Sequence, residues 1–276
     1  MIEELLKFTK KSGILLKKQE QKTTLLGKKD NTVESVVTQA DVAVSNLFEK
    51  FVKKTFSHLN YMIIDEEKMS KFGDKIFEYI KTTEYQFVID PIDGTLQYAN
   101  HHPFYGITIG VYHKARPLMG IIYLPRVQEL VYCDERKAYY MHNAFARNQW
   151  KEEIKAGQIT TSPIIFGHSW LWKQTKEFSI KKNVLIDYYS AVSQSLYTLT
   201  GQAKAYAMNL HLWDIAGAMP IAEKVGMKIF QYEGNVVYDH ISDKFFDLNM
   251  WTRKPCILCN LRDLEEIRAI MAPKLK

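Results

Sequence analysis

Residues 85–95 read Tyr-Gln-Phe-Val-Ile-Asp-Pro-Ile-Asp-Gly-Thr. The apolar run 85–89 predicts a buried strand that ends at Asp90. Pro91 fixes its own φ and pushes Asp90 toward an extended conformation, so the strand should lead into a sharp turn. Gly94 has no Cβ, and it therefore tolerates an unusual φ and the close approach of another group.

Such a turn can direct several oxygen atoms at one point. The carboxylates of Asp90 and Asp93 and the carbonyl of Ile92 are the candidate cation ligands. Thr95 can cap a short helix, whose first N–H groups suit a phosphate. The segment therefore predicts a cation site beside an anion-binding turn. An ordinary Asp/Pro/Gly turn is the alternative.

Three other acidic points lie outside this segment. Asp41 stands near the start of a predicted helix, three residues after Thr38. Instead of serving the cation site, it could form a capping box with Thr38. Glu66 and Glu67 follow the apolar run 61–64, where a solvated loop is the alternative. Asp214 begins a small-residue helix, where an acid is favoured by the helix dipole alone.

Every candidate ligand in these motifs is an oxygen atom. Hard oxygen sites select Mg²⁺, with Mn²⁺ as an alternative, over Zn²⁺. Shared carboxylates commonly bridge two metals about 3.5–4 Å apart, and such a pair hydrolyses phosphate esters. Together the acids predict a site for divalent cations, and shared carboxylates favour a pair of metals there.

The composition is that of a globular protein rather than a fibre, a disordered chain or a disulfide-rich module. The chain has 276 residues, 46% hydrophobic and 25% charged, with three Cys. Its net charge of +6 comes mostly from lysine, with no arginine before Arg116. Bidentate recognition of phosphates and bases favours arginine, so nucleic acid is an unlikely partner. No apolar run is long enough to span a membrane.

Helical and strand patterns alternate along the whole chain, which predicts a layered α/β fold. The N-terminal segment has apolar residues at helical spacing, and we expect a packed amphipathic helix with a basic solvated side rather than a membrane-surface helix. Residues 104–140 predict an antiparallel meander. Further predicted elements are a polar mobile loop from Gly27 to Ser35, a strand at 184–186, helices at 190–200 and 212–224, a strand at 257–258 and a helix at 261–271.

Four motifs, in this order, resemble those of the inositol monophosphatase family, the lithium-sensitive, Mg²⁺-dependent phosphomonoesterases. They are an early Asp, a Glu-Glu pair, D-P-[IL]-D-G-T and W-D-x-A-[AG], here Asp41, Glu66-Glu67, 90–95 and 213–217. The resemblance implies an αβαβα sandwich of the sugar-phosphatase type, usually a homodimer. It implies one domain over 1–276, with subdomains of about 1–180 and 181–276.

The resemblance also implies roles for individual residues. Glu66, Asp90 and the Ile92 carbonyl resemble the ligands of a first, activating metal, and Asp90, Asp93 and Asp214 those of a second. Asp41 and Thr95 resemble the pair that orients the attacking water. The amides of Gly94 and Thr95 would hold the phosphate, Glu66 would serve a third metal, and Glu67 is a further candidate. A metal-activated water would attack in line, without a phosphoenzyme.

Three positions depart from the family pattern. Asp65 stands where Gly usually precedes the first Glu. The substrate wall reads Tyr189-Ser190-Ala191 instead of Gly-Ser/Thr-Ala, with Asp214 beside it. No carboxylate occupies the stretch 206–208, where true inositol phosphatases carry a Glu that grips a sugar hydroxyl. A site that lacks this partner should discriminate poorly between polyols.

We therefore expect a cytoplasmic Mg²⁺-dependent phosphatase acting on a small phosphorylated metabolite, such as an inositol monophosphate or a related sugar or polyol phosphate. The alternatives on the same fold are a 3′(2′),5′-bisphosphate nucleotidase and a histidinol-phosphate phosphatase. From another class, the alternative is a non-catalytic regulator whose basic N-terminal face binds nucleic acid or anionic lipid.

Overall fold

The computed structural model describes residues 1–20, 25–28, 36–157, 160–167 and 183–271. Helices are α1 Ile2–Glu20, α2 Gln39–Thr55, α3 Ile76–Thr82, α4 Thr95–Ala99, α5 Ala191–Leu199, α6 Ala218–Val225 and α7 Leu264–Met271. Strands are β1 Leu25–Lys28, β2 Val36–Thr38, β3 Tyr61–Asp65, β4 Tyr85–Asp93, β5 Gly106–His113, β6 Arg116–Leu124, β7 Glu129–Cys133, β8 Ala138–His142, β9 Trp150–Ile154, β10 Ile164–Gly167, β11 Val184–Ile186, β12 Ala205–Met208, β13 Lys228–Gln231 and β14 Cys256–Cys259.

The larger sheet has seven strands in the order β3-β4-β5-β6-β7-β8-β9. β3 and β4 are parallel, and every later pair is antiparallel. The meander predicted for 104–140 is therefore confirmed, and it continues through β9. Because β3 and β4 run in the same direction, the acids that follow them meet at one edge of the sheet.

The smaller sheet has five strands in the order β11-β10-β12-β14-β13. Its central strand β12 is parallel to β10 and antiparallel to β14. Within the described residues its first strand begins at Ile164, earlier in the chain than the subdomain boundary of about 180 expected from the sequence. The subdivision itself stays a prediction.

The two faces of the larger sheet pack into different hydrophobic cores, and the molecule therefore has five layers. Alternate residues of β4 separate in this way: Phe87 and Ile89 pack with α1 and α2, whereas Val88 packs with α5, α6 and one face of the smaller sheet. The other face of the smaller sheet packs against α7 through Leu264 and Ile267. The order is helix, sheet, helix, sheet, helix, so the predicted α/β fold is confirmed as an αβαβα sandwich.

The predicted helix at 212–224 was wrong in one respect, because the structure divides it. A 3₁₀ turn covers Trp213–Ile215, and α6 begins only at Ala218. Pro220 has no N–H to donate and fits the first turn of a helix, where donors lack partners in any case. The final helix likewise starts as a 3₁₀ turn, Leu261–Asp263, before α7.

The N-terminal helix packs as expected. Leu5, Phe8 and Leu16 of α1 are buried, while Lys10 and Lys11 are exposed. Of the predicted loop from Gly27 to Ser35, Gly27 and Lys28 belong to β1, and the remainder lies outside the described residues. In the part of the chain that the structure describes, no helix has the length and hydrophobicity needed to cross a membrane.

Candidate active site

β4 runs on past its predicted end and carries the two acids of the first motif. It extends to Asp93, and its pairing with β5 becomes irregular between Asp90 and Asp93. Asp90 Oδ1 accepts a hydrogen bond from the N–H of Ile92, 2.9 Å away. This local bond holds the turn so that both carboxylates point out of the strand end.

Gly94, rather than Thr95, is the N-cap of α4. Its φ is 77°, in the left-handed region, where glycine is preferred. A Cβ there would lie 3.0 Å from the Phe104 carbonyl oxygen and 3.0 Å from Ser190 Cβ. Thr95 is the first residue of the helix, so the expectation that it caps α4 was wrong. Its hydroxyl does not cap the helix and instead donates toward Asp41 and the Ile92 carbonyl.

Asp93 is held by the start of α5. Its Oδ2 accepts bonds from Ser190 Oγ at 2.5 Å and Val192 N at 3.0 Å, and its Oδ1 accepts one from Ala191 N at 3.1 Å. Burial raises the pKa of Asp93 to about 7, helped by the charge of Asp214 and opposed by these bonds. Ser190 and Ala191 thus orient a candidate ligand, and their contact with substrate stays a prediction.

Asp214 reaches the site through close backbone packing. Its Oδ2 accepts the N–H of His211 at 2.8 Å. Directly after it, Gly217 donates its N–H to Thr108 Oγ1 at 2.9 Å. A Cβ on Gly217 would overlap the Ile121 carbonyl oxygen, and one on Gly120 would overlap that of Gly217. The small residues that follow Asp214 therefore let this segment lie against the larger sheet.

These elements bring three carboxylates together. Asp90, Asp93 and Asp214 each offer an oxygen, and the three atoms lie within 4.8 Å of one another. Burial raises the pKa of Asp90 well above its usual range, and the charges of Glu66, Asp93 and Asp214 act in the same direction. Three acids so close in a buried place repel one another unless protons or a cation compensate them.

Asp41 joins the site from α2. Its Oδ2 accepts the N–H and the hydroxyl of Thr38, at 2.8 and 2.5 Å, which is the predicted capping box. Its Oδ1 accepts a hydrogen bond from Thr95 Oγ1 at 3.2 Å. Asp41 therefore forms the capping box and contacts Thr95 of the site at the same time. Thr95 Oγ1 is also 3.0 Å from the Ile92 carbonyl oxygen. Burial raises the pKa of Asp41 to about 7, the bonds from Thr38 oppose it, and Glu67 and Glu66 add to it.

Glu66 and Glu67 begin a 3₁₀ turn, Glu66–Lys71, at the end of β3. Both are partly buried, and the charge of Glu66 acts on Asp90 in the larger sheet. Tyr189, the residue of the predicted substrate wall that replaces Gly, is 41% exposed with a φ of 52°. Its N–H donates to Asp187 Oδ1 at 2.8 Å.

Comparisons with known proteins agree with this arrangement of motifs. The family model of the inositol monophosphatase family matches residues 1–269. The chain belongs to the inositol monophosphatase family. It is 27% identical over 213 residues to human inositol monophosphatase 1, covering 72% of each chain. It is 23% identical over 249 residues to Nus factor SuhB of Pasteurella multocida, covering 86% of this chain and 87% of that protein.

Solved structures share this fold. The crystal structure of an IMPase/NADP phosphatase complexed with Mg²⁺ and phosphate superposes with a TM-score of 0.74 at 17% identity, covering 99% of this chain and 96% of that one. Membership of the inositol monophosphatase family supports a phosphatase that uses a divalent metal. The metal ligands, the substrate and the oligomeric state of this chain are proposals.

The side of the site where a family inositol phosphatase carries its hydroxyl-gripping Glu is apolar and aromatic here. Ala207 and Met208 are buried in β12. Next to Asp214, the His211 ring stacks on Trp213 at 4.3 Å and meets Trp251 edge-on at 4.3 Å. Trp251 is 36% exposed. Neither His211 nor Trp251 carries a sequence signal for such a place, since the bridge that brings Trp251 to His211 joins distant segments.

Proposed function

We propose that this chain is a Mg²⁺-dependent phosphatase that hydrolyses a small phosphomonoester, an inositol monophosphate or a related sugar or polyol phosphate. The observation that carries the proposal is the convergence of Asp90, Asp93 and Asp214, whose oxygens lie within 4.8 Å of one another. These acids come from β4 and from the turn before α6, 121 residues apart in the sequence at their nearest (214 − 93).

The residues present suit hard divalent cations. Every donor is an oxygen, and the two buried aspartates of β4 have raised pKa values because burial and neighbouring acids penalise their ionised forms. A bound cation would remove that penalty. Glu66, Asp90 and the Ile92 carbonyl would hold one Mg²⁺, and Asp90, Asp93 and Asp214 a second. When bound, the cations supply positive charge that activates a water and stabilises the leaving oxygen.

The remaining polar groups would orient the reactants. Asp41 and Thr95 form a hydrogen-bonded pair that would position the attacking water. The pKa of Asp41, about 7, suits a group that accepts a proton near neutral pH. The amides of Gly94 and Thr95 are the proposed phosphate donors, since they stand at the start of α4.

The test is a panel of phosphate esters compared by kcat/KM at saturating Mg²⁺. It should contain inositol 1-phosphate, a hexose phosphate, a 3′,5′-bisphosphate nucleotide and histidinol phosphate. We expect turnover that EDTA abolishes and Mg²⁺ restores, with one ester preferred. If no ester is hydrolysed at any Mg²⁺ or Mn²⁺ concentration, the proposal fails.

The exposed Trp251 supports a second candidate within the same chemistry, a phosphate ester that carries a flat ring. This indole meets the ring of His211, whose N–H binds Asp214. An exposed indole can stack on a purine or an imidazole, which is worth about 1–3 kcal/mol per base. Trp251→Ala should then raise KM for the nucleotide about tenfold and leave the inositol phosphate unaffected. Leu248→Ala is the matched control, because Leu248 is an exposed apolar side chain of the same segment, 45% exposed.

A further inference from the structure

Asp65 is a buried carboxylate that the proposed chemistry does not use. It is the last residue of β3, it immediately precedes Glu66, and its exposed fraction is 0%. A buried acid is costly unless it is hydrogen-bonded, and its bonds therefore indicate what it does.

The two oxygens of Asp65 bind two different elements. Oδ2 accepts the hydroxyl of Ser45 in α2 at 2.7 Å. Oδ1 accepts the backbone N–H of Glu67 at 3.0 Å and thereby caps the 3₁₀ turn. Ser45 is itself fully buried and lies one helical turn after Asp41. One side chain thus links the helix that carries Asp41 to the turn that carries Glu66.

Among the described strands, β3 lies at the edge of the larger sheet and pairs with β4 alone, and Lys68 interrupts the 3₁₀ turn with non-helical backbone angles. A second link between the same elements, Lys68 Nζ to Glu49 Oε2 at 2.6 Å, is partly exposed to solvent. Exposed ion pairs contribute little to stability. The buried hydrogen bonds of Asp65 therefore restrain the turn more strongly than the ion pair of Lys68 does.

We propose that Asp65 is a positioning residue that fixes the turn bearing Glu66 against α2 and so sets the affinity of the candidate metal site. The inference rests on the proposed function, because it assumes that Glu66 is a ligand. Groups that orient metal ligands through hydrogen bonds typically change metal affinity 10- to 100-fold when removed. Asp65 acts one step further out, through the backbone of Glu67.

The test measures Mn²⁺ binding to the whole protein by electron paramagnetic resonance, a readout that does not need turnover. Ser45→Ala should raise the Kd about tenfold, and Asp65→Ala about 10- to 100-fold. Asp65→Asn keeps the shape, and its amide can donate to Ser45 while its oxygen still accepts from Glu67. This variant should therefore recover the Kd to within about threefold of wild type.

The matched control is Gln86→Met. Gln86 is a fully buried side chain at the other end of β4, where its Oε1 accepts the Ala115 N–H at 2.9 Å. Its replacement should lower Tm without changing the Kd for Mn²⁺. If Asp65→Ala does not fold, Ser45→Ala still tests the link, because it removes a single bond and leaves the acid in place.

The outcomes separate the two levels of the proposal. Wild-type protein that binds no Mn²⁺ would refute the proposed function. If wild type binds Mn²⁺ while Ser45→Ala and Asp65→Ala change only Tm, as Gln86→Met does, the positioning role is overturned and the proposed function stands. If Asp65→Asn binds as weakly as Asp65→Ala, the charge of Asp65 acts rather than its geometry, which also overturns the positioning role.

Discussion

The substitution Asp93→Asn tests the proposed metal site with little change of shape. Asp93 accepts bonds at both oxygens, from Ala191 N at one and from Val192 N and Ser190 Oγ at the other. An asparagine must place its NH₂ group against one of these backbone N–H groups in either rotamer. One unsatisfied buried donor costs about 1–3 kcal/mol.

An opposing effect of similar size acts in the metal-free protein. Burial and the charge of Asp214 raise the pKa of Asp93 from 3.8 to about 7, which corresponds to a penalty of about 4 kcal/mol for its ionised form. Asparagine has no charge and removes this penalty. We therefore expect the metal-free variant to unfold within a few degrees of wild type. Its kcat at saturating Mg²⁺ should fall at least about a thousandfold, or about 4 kcal/mol of transition-state stabilisation.

The assay pairs initial rates at saturating Mg²⁺ with calorimetric melting in EDTA. Asp134→Asn is the control, because Asp134 accepts two backbone bonds, from Arg136 at 2.7 Å and Lys137 at 2.8 Å, in an exposed turn between β7 and β8. It should keep full activity. Wild-type turnover in Asp93→Asn would refute the assignment of Asp93. A large loss of Tm in EDTA would instead attribute the lost activity to misfolding.

Three further predictions follow from the same geometry. Thr95→Ala should lower kcat about 100-fold with an unchanged KM, because the hydroxyl that faces Asp41 is lost. Thr95→Ser keeps this hydroxyl and should restore kcat, so equal rates in both variants would contradict the water-orienting role. The native state binds the Asp41 proton more tightly than the unfolded chain does, since the pKa rises from 3.8 to about 7, so metal-free stability should fall by about 4 kcal/mol between about pH 4 and pH 7. The pKa of the proposed ligand Asp93 is likewise raised, to about 7, so Mg²⁺ should raise Tm more at pH 8 than at pH 5. An equal gain at both would count against buried acids as the ligands. Gly217→Ala should lower the free energy of unfolding, measured by urea denaturation, by at least about 1–3 kcal/mol, because its Cβ would overlap the Ile121 carbonyl. An unchanged free energy of unfolding would show that the backbones at Gly217 and Ile121 can separate.

The sequence predicted the acids of the site well because each belongs to a short motif with its own local chemistry. Asp90 and Asp93 follow an apolar run that predicts where a strand ends, and Asp214 precedes a small-residue run that predicts where a helix begins. The structure brings these three together as expected. The capping box at Asp41 was also recognisable, since it depends on residues three apart.

The partners of those acids were harder to predict because they come from distant parts of the chain. Ser190 binds Asp93 across 97 positions, and Ser45 binds Asp65 across 20. Neither serine has a sequence pattern that distinguishes it from a helix cap or a buried hydroxyl. The order of the smaller sheet was likewise not predictable, because neighbours such as β12 and β14 are paired through tertiary packing.

The ring of Tyr188 stacks on Phe104 at a centroid distance of 4.2 Å, with the planes 4° apart. Tyr188 thus serves packing, whereas the aromatic group that adjoins Asp214 is formed by His211, whose N–H binds Asp214, and by Trp251, which meets the His211 ring.

The glycine contact behind Asp214 limits how this enzyme can be redesigned. Where Gly120 and Gly217 meet, main chain lies directly on main chain, so no side chain there can be enlarged or trimmed to reshape the cavity. Engineering of the proposed substrate choice therefore has to work at exposed positions such as Tyr189 and Trp251. The backbone behind Asp214 therefore stays the same in every variant, and the effects of substitutions at the exposed positions can be compared directly.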